Sequence, residues 1–340
     1  MQDMPEALAV LILAAGKGTR MKSDLVKVLH PLMGQPMLAH VLNAVRYLEP
    51  DRTVVIVGHQ AERVIETVER PGLIFVHQAE QLGTGHAVAQ AREALADFSG
   101  TVLILAGDVP LLSPQTLMDF LAAHRQLEAP ISVLTVELPL PGAYGRIVRD
   151  EDGFLARIVE ARDAAPEELA IREINTGVYA VDTALLFEAV NGLRSDNDQK
   201  EYYLTDIVAL AREIGLTAAA ILTPDPDEVL GINDRVELAG AIAYLRTLTN
   251  ESWMRAGVTM IDPATVYIET TVKLARDVTL WPNVLLQGRT TVGSGATIGP
   301  DCQIIDSTVG AGASIAKGAF LRGADLAPGA IVGPLTVMDR

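Results

Sequence analysis

The chain has 340 residues, enough for a large domain and a smaller one, and 49% of them are hydrophobic, which excludes a disordered protein. A formal net charge of −16 argues against nucleic acid or an anionic membrane as the main partner, so any cationic cluster must be local. The single cysteine, Cys302, excludes a disulfide framework and a multi-cysteine zinc site. No stretch approaches a membrane span and residues 1–20 lack a signal-peptide layout, so a cytoplasmic protein is expected.

The apolar run Leu8–Ile12 reads as a strand buried on both faces. It feeds Leu13–Lys27 (LAAGKGTRMKSDLVK), a loop with Gly16 and Gly18 and the cations Lys17, Arg20 and Lys27. Glycines let backbone N–H groups approach a phosphate, and the cations add charge-assisted hydrogen bonds. The spacing is not a P-loop, and Met21 stands where a dinucleotide fingerprint needs its third glycine. Pro36–Leu48 has helical apolar spacing, Thr53–Val57 reads as a strand, Ala61–Val68 as a helix and Leu73–Val76 as a strand. Gln78–Ala87 (QAEQLGTGHA) enters a helix expected to run to about Phe98, and Thr101–Leu105 is a strand ending in Gly107-Asp108-Val109-Pro110. Ser113-Pro114 caps a further helix. This alternation predicts an α/β fold with a parallel, doubly wound, Rossmann-like sheet.

From Ile131 the texture changes. Ile131–Val136, Arg146–Val148, Leu155–Glu160 and Ile174–Val181 read as strands extending the sheet over its carboxyl edge. Glu201–Ile214 reads as a helix, Ala218–Leu222 as a strand and Asn233–Leu248 as a linking helix. Beyond Trp253, Ile268, Leu274, Leu280, Leu286, Val292, Ile298 and Ile304 fall at every sixth position, led by two from Val266, Val272, Val278 and Val284. The beat slips by one residue to Val309, Ile315 and Leu321, then again to Leu326 and Val332. A hexapeptide period with glycine-rich corners predicts a parallel β-helix. The expected domains are residues 1–230, a linker over 231–252 and a β-helix over 253–340.

Asp108 ends a buried strand next to a polyanion site, where a carboxylate makes sense with magnesium between it and phosphate. An Asx turn ahead of Val109-Pro110 is the alternative. Asn233 is explained by pattern as the N-cap of the linking helix. Glu160, Asn175 and Tyr203 are, by pattern, ordinary surface or turn residues.

LAAGKGTRM with Lys27, QAEQLGTGHA (78–87), GDVP (107–110), YGRI (144–147), EINTG (173–177), EYYLTD (201–206) and GIND (231–234) together resemble the bacterial UDP-N-acetylglucosamine pyrophosphorylases. The resemblance implies a magnesium-dependent transfer of UMP from UTP to N-acetylglucosamine 1-phosphate, on a nucleotidyltransferase domain followed by a left-handed β-helix. By it, Leu13, Ala14, Ala15 and Gly16 would hold the nucleotide, and Gln78 and Gly83, with Thr84 beside them, would read the uracil. Arg20 would grip the departing pyrophosphate and Lys27 the phosphates at the reacting centre. Asp108 and Asn233 would hold magnesium, and Gly145, Glu160, Asn175, Thr205 and Tyr203 would surround the sugar. Val26 replaces the usual proline, which is expected to loosen the loop carrying Lys27. Ala106 replaces a frequent tyrosine, which removes one sugar-side contact. Such β-helices associate in threes, so a homotrimer is expected. Members of the family use a β-helix histidine for acetyl transfer; all six histidines here lie at or before His124, and Gly333–Val337 lacks the usual arginine, so that activity is expected to be absent. The rival readings are a nucleotidyltransferase for another sugar phosphate, a hexapeptide acyltransferase, and a non-catalytic sensor of a nucleotide sugar.

Overall fold

The computed structural model describes residues 7–340, which divide into two compact units. The first comprises the described residues up to His30 together with Met37–Arg235; the second comprises Pro31–Pro36 and Val236–Arg340.

The first unit is built on a mixed sheet. Its strands are β1 (Leu8–Ala14), β2 (Arg52–Val57), β3 (Leu73–His77), β4 (Thr101–Ala106), β5 (Ile131–Glu137), β6 (Arg146–Arg149), β7 (Leu155–Val159), β8 (Glu173–Asp182) and β9 (Ala218–Leu222). The main path runs β9-β5-β8-β4-β1-β2-β3, with β6 paired to β8 and β7 to β6. β1 alternates between two cores: Leu8, Val10, Ile12 and Ala14 face one, Ala9 and Leu11 the other. Helices α1 (Met37–Arg46), α2 (Ala61–Val68) and α4 (Pro114–Leu127) cover the first core, and α3 (Thr84–Gln90), α5 (Thr183–Gly192) and α6 (Asp206–Glu213) the second. Strand β1 therefore reads as continuously apolar because both its faces are buried, each full aliphatic side chain contributing about 1.5–3 kcal/mol.

The four strands that alternate with helices, β1 to β4, pair parallel as expected, and the sheet becomes mixed in the extension beyond them. β8 inserts antiparallel between β4 and β5, because the chain turns back through the β6–β7 excursion before returning to the sheet. A bulge between Asn175 and Tyr179, where Gly177 has φ 83°, interrupts the β8–β5 register beside that excursion. The helix expected to reach Phe98 stops at Gln90. Ala91 and Arg92 donate to carbonyls three residues back, tightening the chain into a 3₁₀ turn at Glu93–Leu95. Residues 201–205 are not helical: Tyr202 donates to Leu82 O at 2.8 Å and its own carbonyl accepts from Gly85 at 2.8 Å, so the backbone is already committed. Helix α5 was not anticipated, although Asp182 caps it through Oδ1, which accepts from Ala184 and Leu185.

The second unit is a parallel β-helix of three sheets, the arrangement of a left-handed β-helix. Thr279–Leu280 pairs with Thr297–Ile298, then Ser314–Ile315, then Ile331–Val332. The coil thus shortens from eighteen to seventeen residues, which is the slip seen in the hexapeptide beat. The residue lost lies at the corner where Gly288-Arg289-Thr290 gives way to Asp306-Ser307. Thr290 and Ser307 are buried there and satisfied, Thr290 Oγ1 donating to Gln287 O and Ser307 Oγ to Ile305 O. Cys302 is buried in this core. Helix α7 (Arg235–Arg255) packs Trp253 and Met254 on it, and the buried Asn250 donates to Pro263 O and Val266 O, fixing the first coil. A small hairpin, Pro31–Leu32 with Gln35–Pro36, belongs to this unit; Met33 and Gly34 take positive φ at its tip, and Gln35 Nε2 donates to Thr270 Oγ1. Among the described residues no helix is long and apolar enough to cross a membrane.

Candidate active site

The carboxyl ends of β1 and β4 lie side by side, Leu13 opposite Ala106, and Gly107 N donates to Leu13 O at 2.9 Å. This registration brings the glycine loop and Asp108 to one edge of the sheet. Gly18 has φ 62°, and a Cβ there would stand 2.4 Å from Lys27 Cβ, so only glycine lets the two ends of the loop close. Buried Met21 and the Arg235 Nε bond to its carbonyl anchor the turn. Val26 takes a φ of −58°, one that proline would impose, and its side chain is buried in the first core.

Four side chains then converge. The Lys27 ammonium forms an ion pair with Asp108 and donates to Asn233 Oδ1 at 3.1 Å, while Arg20 Nη2 donates to the same oxygen at 2.8 Å. Asn233 lies two residues before the first helical residue, outside the N-cap position expected for it. Ile232 N donates to Asp108 O, stitching the segment before α7 to the end of β4. One carboxylate and one amide oxygen thus already share a cation. Hard oxygen donors in this number suit a divalent ion that keeps water and substrate phosphate as its other ligands. Among the described residues no three His, Cys, Asp or Glu side chains group as a self-sufficient metal site.

A cleft of about 510 Å³ opens beside this cluster. Leu13, Ala14, Ala15, Gly16, Lys27, Gln78, Gly83, Thr84 and Asp108 line it, as does Ala106, whose small side chain leaves that wall open. Gln78 is 3% exposed. Its Nε2 lies 3.2 Å from Gly83 O and 3.0 Å from His86 Nδ1. Gly83, at φ 108°, has no room for a side chain, since a Cβ would meet Tyr202 O at 2.6 Å.

The remaining expected residues gather apart from that cleft lining. A Cβ on Gly145 would lie 3.6 Å from both Asn175 Cβ and Glu160 Oε1, and Thr205 Oγ1 donates to Glu160 Oε1 at 3.4 Å. Tyr203 and Glu160 share a smaller cavity of about 280 Å³, and the Tyr203 hydroxyl accepts from Gln199 Nε2. Burial raises the Glu160 carboxyl above the usual carboxylate range; Asp206, Asp163 and Glu201 push the same way, against the Thr205 hydrogen bond. Burial likewise raises Asp206, with Asp163 adding to it.

The family described as MobA-like NTP transferase domain matches residues 10–187. The chain is 46% identical to the bifunctional protein GlmU of Pelobacter propionicus over 331 residues, covering 97% of this chain and 72% of that protein. It is 47% identical to GlmU of Exiguobacterium sibiricum over 324 residues (95% and 72%), and 50% identical to GlmU of Geobacter metallireducens over 303 (89% and 64%). The chain belongs to the GlmU family. Its first unit is accordingly a nucleotidyltransferase domain, and the cleft lies at the carboxyl end of β1, the edge at which open α/β sheets bind ligands.

Three participants were missed by sequence reasoning. Gln81 lines the cleft and donates from Nε2 to Gln78 O at 3.2 Å. Glu201 lines it from the segment that packs on Gly83. The Tyr144 hydroxyl accepts from Gly231 N at 3.2 Å, tying the YGRI segment to the one that carries Asn233. All three lie inside motifs quoted above, but only tertiary pairing singles them out.

Proposed function

We propose that this chain transfers UMP from UTP to N-acetylglucosamine 1-phosphate, releasing pyrophosphate. The observation that carries the reading is the junction of Lys27, Arg20, Asp108 and Asn233 at the ends of β1 and β4, beside a glycine loop that opens onto a cleft. Two mutually repelling polyanions need positioning and neutralisation more than acid–base help. A non-bridging oxygen of the sugar phosphate bonds to the α-phosphorus of UTP, and the bond from that phosphorus to the bridging oxygen breaks. The electron pair departs with pyrophosphate, and no proton need move, because the attacking phosphate is already ionised near neutral pH.

Asp108 and Asn233 would hold magnesium, which when bound supplies charge neutralisation between the triphosphate and the sugar phosphate. Lys27 and Arg20 bring positive charge to the same edge, Lys27 toward the reacting phosphates and Arg20 toward the leaving pyrophosphate. The base reading is supported by Gln78: its Nε2 donates to Gly83 O and lies 3.0 Å from His86 Nδ1, which turns its Oε1 to the other side as the acceptor left for the cleft. An acceptor suits the N3–H of uracil and opposes the bare N3 of cytosine. Gly145, Glu160, Asn175, Thr205 and Tyr203 would contact the sugar, a reading supported by the grouping of the first four. The β-helix would join three copies, and the cytoplasm, where UTP is made, would be the site of action.

The test is pyrophosphate release from UTP, with magnesium or with EDTA, across a panel of sugar 1-phosphates. The expected result is fastest release with N-acetylglucosamine 1-phosphate, abolished by EDTA. Faster release with glucose 1-phosphate would move the assignment to another sugar, and no release from UTP with any acceptor would overturn it.

A further inference from the structure

His86 is unexplained by the chemistry of phosphoryl transfer, yet it touches the one side chain that faces a base. It sits on the first turn of α3, its ring 6.5 Å from that of Tyr202, with Gln78 on one ring nitrogen and Gln90 on the other. Gln78 is held from behind, its backbone N–H donating to Val57 O at 2.8 Å. Its amide has only two orientations. In the observed one the NH₂ group serves Gly83 O and His86 Nδ1 at once. Turned over, the amide oxygen would face the Gly83 carbonyl and an acceptor nitrogen of His86, and both contacts would become repulsive.

For this lock to hold, His86 Nδ1 must be bare and its hydrogen must reside on Nε2, because a neutral imidazole has one donor and one acceptor. Gln90 Nε2 lies 3.2 Å from His86 Nε2. Gln90 Nε2 also donates to the His86 carbonyl at 3.2 Å, so its amide hydrogen is taken up there, and the shorter ring contact, Gln78 Nε2 to Nδ1 at 3.0 Å, marks Nδ1 as the acceptor.

We propose that His86 is a specificity-determining positioning residue: by keeping Nδ1 as an acceptor it fixes Gln78 with its oxygen toward the cleft, and so sets the preference for a uracil over a cytosine nucleotide. This rests on the assignment of Gln78 to the base. It adds that the choice of base is made one side chain behind the contact, by a tautomer. His86 touches neither the phosphates nor the sugar in this scheme, so its loss should leave the chemical step intact and change only which nucleotide is admitted.

The experiment compares kcat/KM for UTP and for CTP, with N-acetylglucosamine 1-phosphate, in the full chain and in His86→Leu and His86→Asn. Leucine removes the acceptor, while the asparagine amide oxygen stands near the position of Nδ1 and restores it. The UTP-to-CTP ratio should fall about 3- to 10-fold in His86→Leu, the worth of one neutral hydrogen bond, and return to within about 2-fold of the starting ratio in His86→Asn. A merely structural role would lower both nucleotides together and leave the ratio unchanged. An unchanged ratio in folded His86→Leu, with the parent chain selective for UTP, overturns the role of His86 while the base assignment stands. A parent chain that does not prefer UTP overturns the base assignment itself. Nitrogen-15 spectra of the histidines in the unaltered protein test the lock without any substitution: Nδ1 of His86 should show the shift of an unprotonated ring nitrogen, and a hydrogen on Nδ1 overturns the proposal.

Discussion

Lys27 illustrates how one residue is placed by several constraints that have nothing to do with charge. Val26 and Val28 bury the two sides of its turn, and Gly18 leaves the gap through which its stem passes. Because its ammonium sits between Asp108 and Asn233, Lys27→Ala should lower turnover about 10²–10³-fold, the scale for removing one electrostatic stabiliser, with little change in the fold. Asp108→Ala should do the same and should also raise the magnesium needed for half-maximal rate; activity within a few-fold of the parent in both variants would refute their roles. Glu160 behaves differently. Burial raises its carboxyl in the folded chain above its unfolded value, so between those two values the native state holds the proton more tightly. Stability contributed by Glu160 is therefore present at low pH and is lost as pH rises through the raised folded value. Glu160→Gln should consequently raise the melting temperature of its unit more at pH 7 than at pH 4, while weakening sugar 1-phosphate binding. Thermal scans at pH 4 and pH 7 check it, and an advantage that is larger at pH 4 would show the sign to be wrong.

At the scale of elements, the corners of the β-helix carry a comparison built into the chain. Asn283, Asp301, Gly318 and Leu335 occupy the same corner in successive coils, with φ of 60°, 59°, 68° and 56°. Asparagine, aspartate and glycine tolerate this left-handed conformation, whereas a leucine there is strained by about 1–2 kcal/mol. Leu335 is 72% exposed, so removing its side chain forfeits little burial. Leu335→Gly should therefore stabilise the β-helix by roughly 1 kcal/mol in denaturant melts; a loss of stability would mean that its packing outweighs its strain. The opposite change at Gly83, to alanine, should damage the nucleotide site, since the added Cβ would meet Tyr202 O and the backbone would leave φ 108°. KM for UTP is expected to rise about tenfold or more, with the sugar phosphate KM little altered. These two corners also show what local pattern does and does not reveal. The hexapeptide beat exposed the coils and even their one-residue slip, because every coil repeats the same burial. The turn at residues 201–205 was misjudged as helix, because its backbone partners, Leu82 and Gly85, lie more than a hundred residues away.

Across the whole molecule, legibility followed the range of the interactions. Strands such as β1, β2 and β4 were plain in the sequence, since burial on both faces writes itself as an apolar run. The antiparallel insertion of β8 was not, because strand direction depends on the route through β6 and β7 rather than on any residue in β8. Within the site, Asp108 could be suspected from a lone charge after an apolar strand, while Asn233 looked like a helix cap until the fold carried it to Arg20 and Lys27. Every side chain assigned to nucleotide, magnesium or sugar belongs to the first unit, and this gives a prediction that surveys the full chain at once. Bound ligand stabilises against opening by RT ln(1 + [L]/Kd), about 2.7 kcal/mol at a hundred times Kd. Amides that exchange only through opening of the site should then slow about a hundredfold when UTP and magnesium are added at that level. Hydrogen-exchange mass spectrometry should find this slowing in residues 15–27, 78–84, 106–108 and 231–233, and no change in the coils from Thr279 to Val332. Magnesium alone should protect only the segments around Asp108 and Asn233, if those two oxygens hold the ion. Protection of 78–84 without protection of 231–233 would separate base binding from ion binding and remove Asn233 from the metal assignment. Slowing confined to the coils would place the nucleotide on the β-helix and discard the cleft altogether.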